Sequence, residues 1–107
     1  MMTIDQIKQA MKYAEGFLLG DFGELDIIYS GYQEPTNTPQ FQKIIYPLFL
    51  QRVIDGMNRE SPACIDQTSE EIEIVLGWNI QTFKYAKYGN IDQAKEACII
   101  WVLENES

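Results

Sequence analysis

The sequence predicts an α+β domain, and three observations carry that reading. Residues 4–18 and 91–103 repeat apolar side chains at helical spacing, Glu71 to Leu76 alternates with a period of two, and the order of elements is helix, edge strand, helix, strand, strand, helix. The expected architecture is one small domain over residues 1–107, with helices packed on a short antiparallel sheet that includes a hairpin near 70–88.

The first helix starts at Thr3, an N-cap with Gln6 three residues on, the spacing of a capping box. Ile4, Ile7, Met11, Ala14 and Leu18 form its stripe, and Gly16 and Gly20 weaken its last turns, so it is expected to end by Gly20. Leu25 to Tyr29 is β-prone and reads as an edge strand. Gln33 to Gln40, with Pro35 and Pro39, reads as an extended loop. A second helix centres on residues 47–59. Pro47 suits its first turn, and Phe49, Leu50, Val53, Ile54 and Met57 oppose Gln51, Arg52, Asp55, Asn58 and Arg59. A start at Thr38 and Pro39 with a kink at Pro47 is the alternative.

In the predicted hairpin, Ile72, Ile74 and Leu76 point one way, Gly77, Trp78 and Asn79 supply the turn, and Thr82 to Tyr88 forms the return strand. Thr68 and Glu71 also have capping-box spacing, but a helix begun there would meet Gly77 after barely two turns. Asn90, with Gln93 three residues later and Asp92 in the first turn, caps the last helix. Its arc of Ile91, Ala94, Cys98, Ile99, Ile100, Trp101, Val102 and Leu103 is broad enough to lie on a sheet, with Ile100 and Leu103 left for an apolar contact or a dimer seam.

Composition narrows the chemistry. Sixteen Asp and Glu face eight Lys and Arg, giving a formal charge of −8, and there is no histidine. Neutral-pH acid–base, metal and triad chemistry draw most often on imidazole, and the negative field repels nucleic acid and acidic membranes while attracting basic proteins. No apolar run approaches the ~18 residues of a membrane span, and Met1 to Asp5 lacks the pattern of a signal peptide, so the chain reads as cytoplasmic. Cys64 and Cys98 form neither a disulfide framework nor a zinc spacing, and Cys98 reads as a small core residue. Phosphate-loop, zinc, calcium-loop and nucleophile-elbow motifs are absent from the sequence. No catalytic, cofactor-binding or metal-binding residue is assigned, and no cofactor is expected. Lys84, Tyr85, Lys87 and Tyr88 resemble the aromatic and basic mixture that holds single strands. The pI near 4.3 favours a core role for Tyr85 and edge protection by the lysines.

The acids are unevenly spread. Tyr13 to Gln42 holds five and no base, Glu60 to Phe83 five and no base, and Glu96 onward three and no base. Such segments permit a carboxylate-rich face that steers a basic partner. Asp21, Glu24, Asp26, Glu70, Glu71 and Glu73 are the expected partner-binding residues.

Tyr46-Pro47-Leu48-Phe49-Leu50-Gln51-Arg52-Val53-Ile54-Asp55-Gly56 and Asn90-Ile91-Asp92-Gln93-Ala94-Lys95-Glu96-Ala97 resemble small uncharacterised proteins of bacteriophages and mobile elements. In those, a helix of Pro-Leu-(apolar)-Leu-Gln-Arg type precedes a hairpin and a terminal helix rich in Ala and acids. The resemblance spans Tyr46 to Glu104; it implies an α+β fold and a viral or prophage setting, and transfers no site residue. The expected function is a non-enzymatic, acidic protein-interaction domain, an accessory or inhibitor protein for a basic partner. The alternatives are a carboxylate-based enzyme or metal-dependent protein, discriminated by a concave pocket of convergent acids, and a structural homo-oligomer.

Overall fold

The computed structural model describes residues 2–21, 25–29, 32–35 and 41–106, with the backbone alone described for 18–21, 25–29, 32–35, 41 and 42. Helix α1 (Ile4–Ala10) opens on the capping box expected: the Thr3 Oγ1 accepts from the Gln6 N–H and the Gln6 side chain accepts from the Thr3 N–H. The helix ends far earlier than its stripe suggests. After a 3₁₀ turn at Met11–Tyr13 the chain turns at Gly16, whose φ of 87° only glycine adopts without strain, and enters strand β1 (Phe17–Asp21). Leu18 therefore belongs to a strand. Tertiary contacts impose this exit: Arg52 donates to the Glu15 carbonyl, Arg59 pairs with the Glu15 carboxylate, and Phe17 meets Phe49 edge-on at 5.5 Å.

Strand β2 (Leu25–Tyr29) pairs antiparallel with β1 on one side and with β3 (Tyr32–Pro35) on the other. It is thus the central strand of a first sheet, not an edge. Gln33 to Pro35, expected in a loop, lie in β3; the rest of that expected loop, 36–40, falls outside the described residues.

Helix α2 (Tyr46–Glu60) carries Pro47 in its first turn, and five π-helical residues, Phe41–Ile45, precede it. The helix therefore starts within a residue of the expected Pro47, and the helical turns ahead of it run into that start. Tyr46, Phe49, Leu50, Val53, Ile54, Gly56 and Met57 form its buried side.

A second antiparallel sheet has the order β4-β5-β6, from β4 (Cys64–Gln67), β5 (Glu71–Leu76) and β6 (Asn79–Lys84). The predicted hairpin is present with Leu76 opposite Asn79 across a two-residue turn, and Gly77 takes the φ of +61° that primed hairpin turns need. The return strand stops at Lys84. Tyr85 to Tyr88, read as strand, form the one-turn helix α3 (Tyr85–Tyr88), ended by Gly89 at φ 87°. Asn90 then caps α4 (Ile91–Asn105) by accepting from the Gln93 N–H at 2.7 Å. Strand β4 has no counterpart in the sequence reading.

The core lies between the helices and one face of the second sheet. Ile65, Ile72, Ile74, Leu76 and Phe83 supply the sheet's share. Phe49, Leu50, Val53, Ile54 and Met57 of α2, with Ala94, Cys98, Ile99 and Val102 of α4, supply most of the rest. Ile7 and Ala10 of α1 join it, and Tyr13, Phe17, Ile45 and Tyr46 extend it. Each fully buried aliphatic or aromatic side chain contributes about 1.5–3 kcal/mol of transfer free energy, which is why the helix stripes and the strand alternation agree on one interior.

Candidate functional site

With one face of the second sheet committed to the core, the pleat sends the alternate residues outward. The register arranges them in rows: Cys64, Val75 and Ile80; Asp66, Glu73 and Thr82; then Glu71 and Lys84. Successive rows are about 6.8 Å apart along the strands, and residues directly opposite have Cβ atoms about 4.5–5.5 Å apart. Asp66 and Glu73 are therefore carboxylates facing each other across one step of the ladder, both exposed. Among the described residues neither has a cationic partner. Directly opposed like charges destabilise a sheet, so the fold gains nothing from this pair.

The turn between β4 and β5 adds two more acids and is held firmly. Thr68 Oγ1 accepts from the N–H groups of Glu70 and Glu71, and the Thr68 N–H donates to the Glu71 carbonyl at 2.9 Å. The capping-box spacing of Thr68 and Glu71 thus closes a turn into a strand. Tyr85 locks the turn twice, its N–H donating to the Glu70 carbonyl and its phenol to the Thr68 carbonyl at 2.8 Å. Partial burial pushes the Tyr85 phenol above its ordinary value. Glu70 and Glu71 open onto a shallow depression of about 370 Å³ shared with Ser69, Lys84, Tyr85 and Ala86.

The six sequence-predicted residues do not all come together. Glu70, Glu71 and Glu73 lie on one turn and strand of the second sheet. Asp21 and Asp26 belong to the first sheet, where Asp21 pairs with Leu25 and Asp26 with Gly20 and Pro35. Glu24 lies outside the described residues. Two other acids from base-free segments are already spent: Glu15 on Arg59 at 3.2 Å and Glu106 on Lys12 at 3.0 Å. Glu96 accepts from the Tyr46 hydroxyl. Asp66 is the residue the sequence reading did not single out. Once Cys64 to Gln67 is recognised as a strand with Ile65 inward, its place opposite Glu73 follows.

The remaining candidates take structural roles. Tyr88 packs on Phe83 with ring centroids 6.1 Å apart, Lys87 sits over the Tyr88 ring, and Lys84 stands at the end of the outer strand. Leu103 is buried and Ile100 half-buried, and both line a groove with Gln6 and Gln9 of α1. Comparison with protein-family models, with curated proteins and with solved structures gives no match.

Proposed function

We propose that this protein is a binding domain whose acidic sheet surface docks a basic protein partner. The observation that carries the reading is the opposed, unpaired Asp66 and Glu73, flanked by Glu70 and Glu71 on the same sheet. A stable fold gains from placing a lysine opposite one of them, and Lys84 sits opposite Glu71 instead. Cations from other elements neutralise Glu15 and Glu106, while Asp66 and Glu73 have no ion pair among the described residues. Such a surface raises the on-rate for a basic partner and repels phosphate backbones. The acids spread over a pleated surface rather than converging in an enclosed cavity, which supports a binder over a carboxylate enzyme. The phage or mobile-element setting implied by the sequence resemblance suits an accessory or inhibitor protein.

The test is a pull-down from the native host at low salt followed by affinity measurement across ionic strength. Affinity is expected to fall steeply between low and high salt and to weaken in Asp66→Asn/Glu73→Gln. A partner held equally well at both salt concentrations overturns the reading.

A further inference from the structure

Among the described residues, the large apolar side chains left exposed are Ile4, Ile44, Trp78, Ile80 and Ile91, and two of these stand in one hairpin. Trp78 is 101% exposed and Ile80 66% exposed, while Ile4, Ile44 and Ile91 lie on separate helical elements. Ile80 shares its row with half-buried Val75, one step along the sheet from Asp66 and Glu73. Neither side chain contributes to the core, and an exposed Trp two residues from an exposed Ile costs solubility unless something covers them. We propose that this strip, Val75, Ile80 and Trp78, seats an amphipathic, arginine-bearing segment of a protein partner, with the arginine straddling Asp66 and Glu73.

The proposal rests on the acidic-surface reading and deepens it by naming where and by what the surface is covered. Charge decides the occupant. A second copy stacked on this face sets its own Asp66 and Glu73 against these, on a chain already at −8. A guanidinium presents a planar fork of donors that can bridge two carboxylates whose Cβ atoms lie about 5 Å apart, and its alkyl stem needs an apolar ledge. Val75 and Ile80 are that ledge. The exposed indole of Trp78 at the adjoining turn offers both apolar area and a cation–π surface, the attributes of an interface anchor.

Exposed Cys64, in the same row as Val75 and Ile80, provides a footprint because Cys98 is buried. The probes are a synthetic amphipathic Arg/Leu peptide, an oligo-arginine of equal charge, and an amphipathic Glu/Leu peptide. The Arg/Leu peptide is expected to bind roughly tenfold or more tightly than oligo-arginine, the scale of burying one apolar side chain, and to slow alkylation of Cys64. Trp78→Ala and Ile80→Ser are expected to abolish that advantage with unchanged thermal midpoints, both side chains being exposed. If oligo-arginine binds as tightly as the Arg/Leu peptide and Trp78→Ala changes nothing, the strip proposal fails while the acidic reading stands. If no basic peptide binds, both fail. Equal binding of the Glu/Leu peptide refutes charge complementarity. A concentration-dependent dimer that protects Cys64 without peptide, and that Ile80→Ser dissociates, gives the strip to a second copy and overturns the proposal.

Discussion

Gly56 sits mid-helix in α2, where glycine is the poorest non-proline choice, yet a Cβ built there would lie 1.9 Å from the Tyr13 carbonyl oxygen. The obstacle is backbone, so no rotamer change relieves it. Gly56→Ala is expected to cost about 3 kcal/mol or more despite a helix-propensity gain of about 1, read as a lower denaturant midpoint at unchanged slope. The same crossing explains why α1 yields to β1 so early: the 3₁₀ turn must pass directly over α2. The two thiols illustrate burial at the same scale. Burial pushes the Cys98 thiol up to about 12, whereas Cys64 is exposed. An aromatic disulfide reagent is expected to modify one thiol in the native protein and the second only on unfolding. Two fast-reacting thiols in the native state would contradict the core placement of Cys98.

At the scale of elements, what was legible in the sequence is what local chemistry decides. Thr3 with Gln6 and Asn90 with Gln93 satisfy helix N–H groups within four residues, so their caps are visible in any window that contains them. The Ile72, Ile74 and Leu76 alternation and the Gly77 turn are equally local, and they place Glu71 and Glu73 on the outward side of one strand. The rest is decided from a distance. Ala14 and Leu18 fall on the α1 stripe by coincidence, and α2 settles the matter through Arg52 and Arg59. Strand β4 is too short to show a period, and its free edge is closed from α2. Asn58 Nδ2 donates to the Ile65 carbonyl and its Oδ1 accepts from the Ile65 N–H, both at 2.8 Å, as a neighbouring strand would. Gln51 and Gln67 exchange amide hydrogen bonds alongside. Asn58→Ala is expected to cost about 1–3 kcal/mol by leaving both groups of Ile65 without a partner, and to speed amide exchange at Ile65. The exposed edge would also promote association through β4. Unchanged exchange at Ile65 would show that the clamp is dispensable.

The charge imbalance acts on the whole molecule, and pH exposes how. Burial first, then the charge of Glu96, raises the Tyr46 hydroxyl well above the ordinary phenol range, while the Met2 N–H that donates to it pulls the other way. Burial likewise raises Tyr13, helped by its hydrogen bond to Glu106, and burial raises Tyr85 and Cys98. Lys12 is raised chiefly by its hydrogen bond to Glu106. All five groups bind protons more tightly in the folded state. Their stabilisation is complete below their unfolded values and is lost as pH climbs, so stability is expected to decline from about pH 9 upward. The slope is at most about 1.4 kcal/mol per pH unit for each contributing group, less for exposed ones. Urea midpoints between pH 8 and about pH 11 measure it. Every thiol or phenol that ionises also adds to a charge of −8, so part of the decline is general repulsion. Salt separates the two causes, because surface repulsion is screened beyond a Debye length of about 10 Å at 0.1 M while the cost of ionising a buried group is not. A midpoint decline that salt fully restores would assign alkaline sensitivity to the surface acids alone. A residual decline that Tyr46→Phe reduces would assign it to the buried hydroxyl between Met2 and Glu96.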